Sequence, residues 1–180
     1  MNTKIVGIVG SLREKSYNQG LMEAFKDALP EGVEMEIVTI GTLPLFNEDL
    51  ESEFPLVAQN LKDVVEGADA LIIATPEYNR SFPGVLKNAI DWLSRPYGKN
   101  SFAGKPTLVV GVSVGANGTA MAQYHLKQLL LYLSAHVLGQ PEFFVGNAGS
   151  KFDESGKLTD EKTKAYITPA LEKLMSVIGN

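Results

Sequence analysis

The chain has 180 residues, no cysteine and a formal net charge of −5, from 16 basic and 21 acidic residues. The missing cysteine excludes disulfide scaffolds, cysteine-ligated zinc, iron–sulfur clusters and catalysis by a thiol. With only 2 histidines no metal site is expected, and the mild acidity disfavours nucleic-acid binding, which needs a basic face.

These bounds favour one domain over residues 1–180, long enough to bury a core without cross-links. No apolar run approaches the roughly 18 residues of a membrane-spanning helix, and the amino terminus lacks the pattern of a secretion signal. We therefore expect a cytoplasmic protein that does not insert into a membrane. Any redox chemistry it performs must belong to a bound cofactor.

The first half of the chain alternates strand and helix patterns. Residues 5–9 form a continuously apolar run, which predicts a strand buried on both faces. Helical spacing follows over 18–29, and the alternating run 33–40 predicts a strand at or near a sheet edge. An acidic loop, 41–54, then leads to a helix over 56–65.

The second half repeats this alternation. Strands are predicted over the apolar runs 70–74, 108–112 and 142–145. Helices are predicted over 84–93, 118–135 and 160–178, with a mobile connection at 151–160.

The regular alternation predicts an α/β fold, with a parallel sheet covered by helices on both faces. Five strands and five helices fit a flavodoxin-like doubly wound sheet of order 2-1-3-4-5. Ligands of such sheets bind beyond the carboxyl ends of the strands, at the switch point of the strand order. The loops at that edge are residues 10–18, 75–84 and 113–119.

The first loop, residues 10–18, offers hydroxyl, amide and guanidinium donors where a helix begins. A helix N-terminus already favours an anion, and these donors suit a phosphate monoester. The loop matches neither the dinucleotide-binding G-x-G-x-x-G pattern nor a Walker A sequence, which disfavours pyrophosphate binding and ATP hydrolysis. The alternative is that Ser16 or Asn18 merely caps the helix.

The second loop has ten residues, 75–84, and is bracketed by Pro76 and Pro83, which restrict its backbone. It exceeds the usual length of about 2–6 residues, which favours binding over plain connection. Such a loop can present backbone N–H and C=O groups to a planar heterocycle, with Tyr78 against a ring. The third loop, 113–119, allows close approach of a flat ligand, or forms only a tight turn before the helix.

Two motifs span most of these loops. G-S-L-R-x-x-S-x-N occupies residues 10–18, and P-E-Y-N-x-S-x-P-G-x-L-K-N-A-I-D-W occupies residues 76–92. They resemble the phosphate loop and the flavin loop of the NAD(P)H-dependent FMN reductase family, in its quinone- and chromate-reductase-like branch. The order and spacing of elements agree with that family over essentially the whole chain. The family's third loop often carries a Gly-Gly pair, where this chain has Ala116-Asn117-Gly118.

The resemblance implies a role for residues of each loop. The residues implied to bind the FMN phosphate are Ser11, Arg13, Ser16 and Asn18. Those implied to line the isoalloxazine are Pro76, Glu77, Tyr78 and Asn79. Those implied along its other edge are Ser113, Gly115, Ala116 and Asn117. Residues that help to bind the nicotinamide nucleotide are expected to be Arg80 and Ser81.

The resemblance also implies a reaction, in which FMN takes a hydride from NAD(P)H and passes electrons to a small-molecule acceptor in ping-pong order. Quinones and free flavins are the expected acceptors, with azo dyes and chromate as further ones. No catalytic side chain is expected, because the cofactor carries the chemistry. The alternatives are a flavodoxin-type electron carrier, which the net charge of only −5 disfavours, and a flavin-free binding or regulatory module.

The helix predicted over 118–135 carries four consecutive apolar residues, 129–132, which reach too far round for one sheet-facing stripe. One face should therefore pack on the sheet and another against a partner, which predicts a homodimer or homotetramer. The alternative is that the chain's own C-terminal helix buries that second face.

Overall fold

The computed structural model describes residues 2–179. Its strands are β1 Thr3–Val9, β2 Val33–Val38, β3 Ala70–Ala74, β4 Pro106–Val112, β5 His136–Val137 and β6 Phe143–Val145. Its α-helices are α1 Tyr17–Asp27, α2 Leu56–Glu66, α3 Gly84–Leu93, α4 Ala120–Tyr132 and α5 Glu161–Met175. Two 3₁₀ helices cover Glu48–Glu53 and Ala148–Ser150.

The strands form one parallel sheet of order β2-β1-β3-β4-β5, which confirms the predicted doubly wound order. Two short strands share the fifth position of the sheet: β5 pairs with the start of β4, and β6 pairs with its end. Pro141 lies between the two short strands and has no N–H for a ladder hydrogen bond, so one continuous strand is disfavoured there. The apolar strands β3 and β4 are buried along their whole length, as their sequences predict.

Helices cover both faces of the sheet and form two hydrophobic cores. On one face, α1 and α5 pack against the sheet through Phe25, Leu171 and their neighbours. On the other face, α2, α3 and α4 pack through Leu61, Ile90 and Leu126. The two cores hold the sheet between two layers of helices. The carboxyl ends of the strands lie together at one edge, outside both cores.

Several predicted boundaries move in the structure. The strand predicted over 33–40 ends at Val38, and the helix predicted over 118–135 covers Ala120–Tyr132. Gly118 has a φ of 60°, which a right-handed helix does not allow, so it belongs to the loop. The prediction of a mobile connection at 151–160 is wrong, because Phe152 and Leu158 pair in an antiparallel bridge and are both buried.

The outer face of α4 stays open. Leu126 and Leu130 are buried in the core, whereas Leu131 is 61% and Tyr132 is 85% exposed. The C-terminal helix α5 packs on the opposite face of the sheet, so the idea that it covers α4 is wrong. Among the described residues, no helix is both long and apolar enough to cross a membrane.

The acidic segment 43–54 is fixed to α3 rather than left free. Asn88 accepts a hydrogen bond from the Phe46 N–H at 2.7 Å and donates one to the Pro44 carbonyl at 2.9 Å. The buried Trp92 also donates to Pro44, at 2.8 Å, and its ring meets Phe46 and Phe54 edge to face. These contacts give Trp92 a role in packing.

Candidate functional site

The first loop joins β1 to α1 and leaves its backbone donors free. Ser16 caps α1, because its Oγ accepts a long hydrogen bond of 3.4 Å from the Gln19 N–H. Within residues 2–179, no acceptor takes the backbone N–H groups of residues 11–18. Free N–H groups at a helix start attract an anion, since they act together with the helix dipole. The Ser16 cap is therefore observed, and it leaves the free N–H groups of this loop available to an anion.

Arg13 supplies the positive charge of this site. Its side chain is exposed, and the guanidinium carbon lies 4.8 Å from the centre of the Tyr17 ring. No carboxylate of the described residues pairs with Arg13. Its N–H groups are therefore available for the two-pronged contact that a guanidinium makes with a phosphate.

Asn18 differs from its three companions in the predicted phosphate set because its side chain is bonded to a distant strand. Its side chain is buried, with Oδ1 accepting from the Val112 N–H and Nδ2 donating to the Val112 carbonyl, both at 3.0 Å. The amide therefore acts as a strut between the start of α1 and the end of β4. One Nδ2 hydrogen and the backbone N–H remain for a phosphate.

The second loop is a tight hairpin. Tyr78 and Ser81 exchange backbone hydrogen bonds of 2.9 and 3.0 Å across Asn79 and Arg80, whose φ angles are 52° and 67°. Two successive positive φ values are the geometry of a type I′ turn. The hairpin adds to the rigidity predicted from the two prolines. It uses the backbone of Tyr78, so the free N–H groups among the described residues of this turn are those of Glu77, Asn79 and Arg80.

The Glu77 carboxylate ties the hairpin to α4. Its Oε2 accepts from the Ala122 N–H at 3.1 Å, in the first turn of α4, and its Oε1 lies 3.8 Å from Arg80 Nη1. A second contact joins the same elements, since His125 Nδ1 lies 3.4 Å from Ser81 Oγ. A carboxylate at a helix N-terminus is stabilised by the helix dipole. The Glu77 side chain thus positions the loop, which leaves its backbone to face a ligand.

The third loop is held by backbone hydrogen bonds to β6 and the segment that follows it. Ser113 donates its N–H to the Val145 carbonyl at 2.9 Å and accepts from the Ala148 N–H at 3.2 Å. The Gly115 carbonyl accepts from the Asn147 N–H, also at 3.2 Å. The N–H groups of this loop with no acceptor in residues 2–179 are those of Val114, Ala116, Asn117 and Thr119.

The segment 146–150 supports the third loop, a role that was not predicted from its residues. Asn147 has a φ of 56°, in the left-handed region that asparagine tolerates better than most residues. The signal was present as the small-residue run G-N-A-G directly after the last strand, at the same edge as the other loops.

Gly111 allows the start of the second loop and the end of the third loop to pack closely together. A Cβ at this position would lie 2.3 Å from the Thr75 carbonyl oxygen and 2.1 Å from Thr119 Oγ1. Such contacts are impossible for a side chain, so a residue larger than glycine would push the loops apart. Thr75 and Thr119 are fully buried here, and neither was singled out from the sequence.

Two buried polar residues of α4 hold the crossover from β5 to β6. Gln123 donates from Nε2 to the Phe143 carbonyl and to Thr119 Oγ1, both at 2.9 Å. Lys127 Nζ lies 3.3 Å from the Gly139 carbonyl, and burial lowers the pKa of Lys127 below its ordinary value. These contacts place the start of α4, and with it the third loop.

The three loops therefore meet at the switch point of the sheet, between β1 and β3. Gly10 donates to the Ala74 carbonyl at 2.8 Å, and Thr75 donates to Val110 at 2.9 Å, so neighbouring loops share one edge. One loop offers an anion site, and the other two offer free amides and small residues beside an exposed tyrosine. This arrangement defines a class: α/β proteins that bind a flat ligand carrying a phosphate. FMN, a planar heterocycle with a phosphate monoester, fits this set of donors.

The chain belongs to the NADPH-dependent FMN reductase family, whose model matches residues 3–150. It is accordingly an oxidoreductase that uses FMN as cofactor and NAD(P)H as co-substrate. The match covers all three loops and the helices between them.

Individual relatives agree over nearly the whole chain. A 2-hydroxy-1,4-benzoquinone reductase from Burkholderia sp is 44% identical over 173 residues, which cover 96% of this chain and 94% of that protein. An NAD(P)H:quinone oxidoreductase from Solanum tuberosum is 42% identical over 182 residues, covering 97% and 92%. The solved structure of FerB, a flavoenzyme NAD(P)H:(acceptor) oxidoreductase from Paracoccus denitrificans, superposes with a TM-score of 0.90 at 39% identity, covering 98% and 97%.

Proposed function

We propose that this protein passes two electrons from NAD(P)H, by way of bound FMN, to quinones. The observation that carries the proposal is the meeting of an anion-binding helix start with two amide-bearing loops at one sheet edge. The relatives named for quinone reduction support quinones as the acceptor class. Free flavins, azo dyes and chromate are further acceptors of the same chemistry.

Each loop has a proposed part in holding the cofactor. In the first loop, the free backbone N–H groups, Arg13 and the hydroxyls of Ser11 and Ser16 would bind the phosphate, and Asn18 would contribute its remaining N–H groups. The residues proposed to lie against the ring system are Pro76, Glu77, Tyr78 and Asn79 on one side and Ser113, Gly115, Ala116 and Asn117 on the other.

FMN, when bound, supplies the hydride-accepting centre and the electron transfer. The chain's part is to bind, orient and stabilise charge. Free amides such as those of Glu77 and Asn79 would donate to the edge of the ring where negative charge develops, which favours two-electron over one-electron reduction. No side chain is assigned a catalytic role. We assign to contacts with the nicotinamide nucleotide Arg80, at the exposed tip of the hairpin, and the half-buried Ser81 that follows it.

Steady-state kinetics of the purified protein test this proposal. FMN-loaded protein is mixed with NADPH or NADH and 1,4-benzoquinone, with no partner reductase, and nicotinamide oxidation is followed by absorbance. We expect turnover that disappears when flavin is removed and returns when FMN is added. Absence of turnover in the yellow, FMN-loaded protein would indicate an electron carrier, and a colourless protein that takes up no FMN would indicate a flavin-free module.

We also propose that the open face of α4 is covered by a second copy of the chain, in a homodimer or a dimer of dimers. Leu131 and Tyr132 are adjacent and strongly exposed, and Met121, about three turns nearer the amino end of the helix and the site, is 48% exposed. An exposed helix face that carries three large apolar side chains is typical of an interface. A second subunit near the amino end of α4 would border the acceptor pocket.

A further inference from the structure

A line of three stacked side chains runs from the phosphate loop into the body of the protein. The Arg13 guanidinium lies 4.8 Å from the centre of the Tyr17 ring. The Tyr17 ring in turn lies 5.1 Å from the ring of Phe152, with 46° between the two planes. Phe152 is buried, whereas Arg13 is exposed, so the line ends on a fixed support.

That support is a hairpin over residues 151–159, which we call the brace. Phe152 and Leu158 form its antiparallel bridge, and the Thr159 N–H donates to the Lys151 carbonyl at 2.8 Å. The Asp153 carboxylate organises the turn, since its Oδ1 accepts from the N–H groups of Ser155 and Lys157 at 2.9 and 3.0 Å. The hydrogen bond from the Ser155 hydroxyl, followed by those from the backbone N–H groups, lowers the pKa of Asp153 below its ordinary value.

The brace touches α1 backbone to backbone. A Cβ at Gly20 would lie only 1.8 Å from the Gly156 carbonyl oxygen, so this approach requires glycine. On the other side, a Cβ at Gly156 would lie 3.5 Å from the carbonyl carbon of Lys15, within the phosphate loop itself. The brace therefore supports both the loop and the first turns of α1. It lies beyond residue 150, where the match to the family model ends.

We propose that Tyr17, backed by the brace, is a positioning residue that holds Arg13 ready for the cofactor's phosphate. Stacking uses the flat face of a guanidinium, whereas its N–H donors point outward in the plane, so stacking and phosphate binding are compatible. An unsupported arginine at an exposed site must lose its side-chain freedom when it binds. The stack reduces that loss. This inference rests on the phosphate site proposed above.

The test compares FMN with riboflavin, which lacks the phosphate. Tyr17→Leu is expected to raise the Kd for FMN by about two- to five-fold, the size of an exposed cation–π contact, and to leave the Kd for riboflavin unchanged. Tyr17→Phe keeps the ring and is the matched control, with both Kd values expected at the wild-type level. Flavin fluorescence quenching measures both constants. The riboflavin arm separates loss of positioning from loss of folding, because damage to the fold would weaken both ligands.

A double-mutant cycle then asks whether Tyr17 acts through Arg13. In an Arg13→Ala background, Tyr17→Leu is expected to have no further effect on FMN binding. The inference is overturned if Tyr17→Leu leaves the FMN Kd unchanged, weakens both flavins equally, or keeps its full effect without Arg13. If Arg13→Ala leaves the ratio of the FMN Kd to the riboflavin Kd unchanged, the phosphate site proposed above fails together with the inference.

Discussion

Arg13 carries the guanidinium of the first loop, and this group has no carboxylate partner among the described residues. Replacing it with alanine is expected to weaken FMN binding by about 1.5–3 kcal/mol, the worth of a charge-assisted hydrogen bond to a phosphate. Titration of the flavin-free protein with FMN measures the loss, and riboflavin, which should bind equally well to both proteins, is the control. Equal FMN affinity of wild type and variant would remove Arg13 from the site.

Single residues also show which features of the site can be predicted from the sequence and which cannot. The residue types of the first loop predict an anion site, because local donors and a helix start are visible in nine consecutive residues. The Asn18 strut was not predictable, since it joins atoms of residues 94 positions apart in the chain. The Glu77 contact with Ala122 is similar, with 45 positions between the partners. Both side chains therefore support the site in ways that a motif alone does not reveal.

At the level of elements, the second half of the flavin-loop motif forms α3, and one of its residues anchors the acidic segment. Asn88 bridges Phe46 and Pro44, so alanine at this position would leave the Phe46 N–H without an acceptor and remove one of the two hydrogen bonds to the Pro44 carbonyl, which Trp92 would still supply. We expect Asn88→Ala to lower the free energy of unfolding by about 1–3 kcal/mol.

Its neighbour provides the control. Lys87 pairs with Asp91 on the surface of the same helix, and an exposed pair of this kind contributes less than about 1 kcal/mol. Urea unfolding of both variants measures the difference. A loss in Lys87→Ala as large as that in Asn88→Ala would contradict the anchoring role of Asn88.

The amino end of α5 gives a pH-dependent prediction. Asp160 caps this helix by accepting hydrogen bonds from the Thr163 hydroxyl and N–H, at 2.7 and 2.8 Å, and these bonds lower its pKa below the ordinary 3.8. A lowered carboxyl pKa in the folded state stabilises the protein above the unfolded pKa, and this stabilisation is lost as the pH falls through the folded pKa.

Asp160→Asn keeps a capping side chain but does not titrate. The stability advantage of the wild type over this variant should be present at pH 7 and should shrink as the pH falls below 3.8. Urea unfolding at pH 7 and pH 3 measures it, with Glu161→Gln as the control for losing a carboxylate from the same helix end. An advantage that stays constant with pH would contradict the role of the charge.

Elements differ in how far their sequences specify them. The buried strands β3 and β4 were predictable because a continuous apolar run suits a strand covered on both faces. The split of the last strand was not predictable, because β6 pairs with distant residues, such as Val110 for Phe143. The brace was not predictable either, because a single short bridge leaves no repeating sequence pattern and its contact with Gly20 of α1 joins distant residues. The parallel sheet followed from the alternation of elements, and its order followed from the fit of five strands and five helices to a flavodoxin-like sheet.

At the level of the whole molecule, the open α4 face predicts self-association. Changing Leu131 to glutamate would place a charge in the proposed interface, and the expected result is a shift of the mass in solution from dimer or tetramer toward monomer. Light scattering after size-exclusion chromatography measures it. Tyr166→Glu, at an exposed tyrosine on α5, is the matched control and should keep the wild-type mass. A wild-type protein that is monomeric at every concentration would refute the proposed association.

The central claim is that this fold takes electrons from NAD(P)H onto its flavin and delivers them to a quinone in two separable half-reactions. Anaerobic rapid mixing tests it most directly. One equivalent of NADPH or NADH should bleach the visible absorbance of the FMN-loaded protein, and one equivalent of 1,4-benzoquinone, added after the nicotinamide is spent, should restore it fully. A flavin band that neither nicotinamide bleaches, or that stays bleached after benzoquinone is added, would contradict the claim.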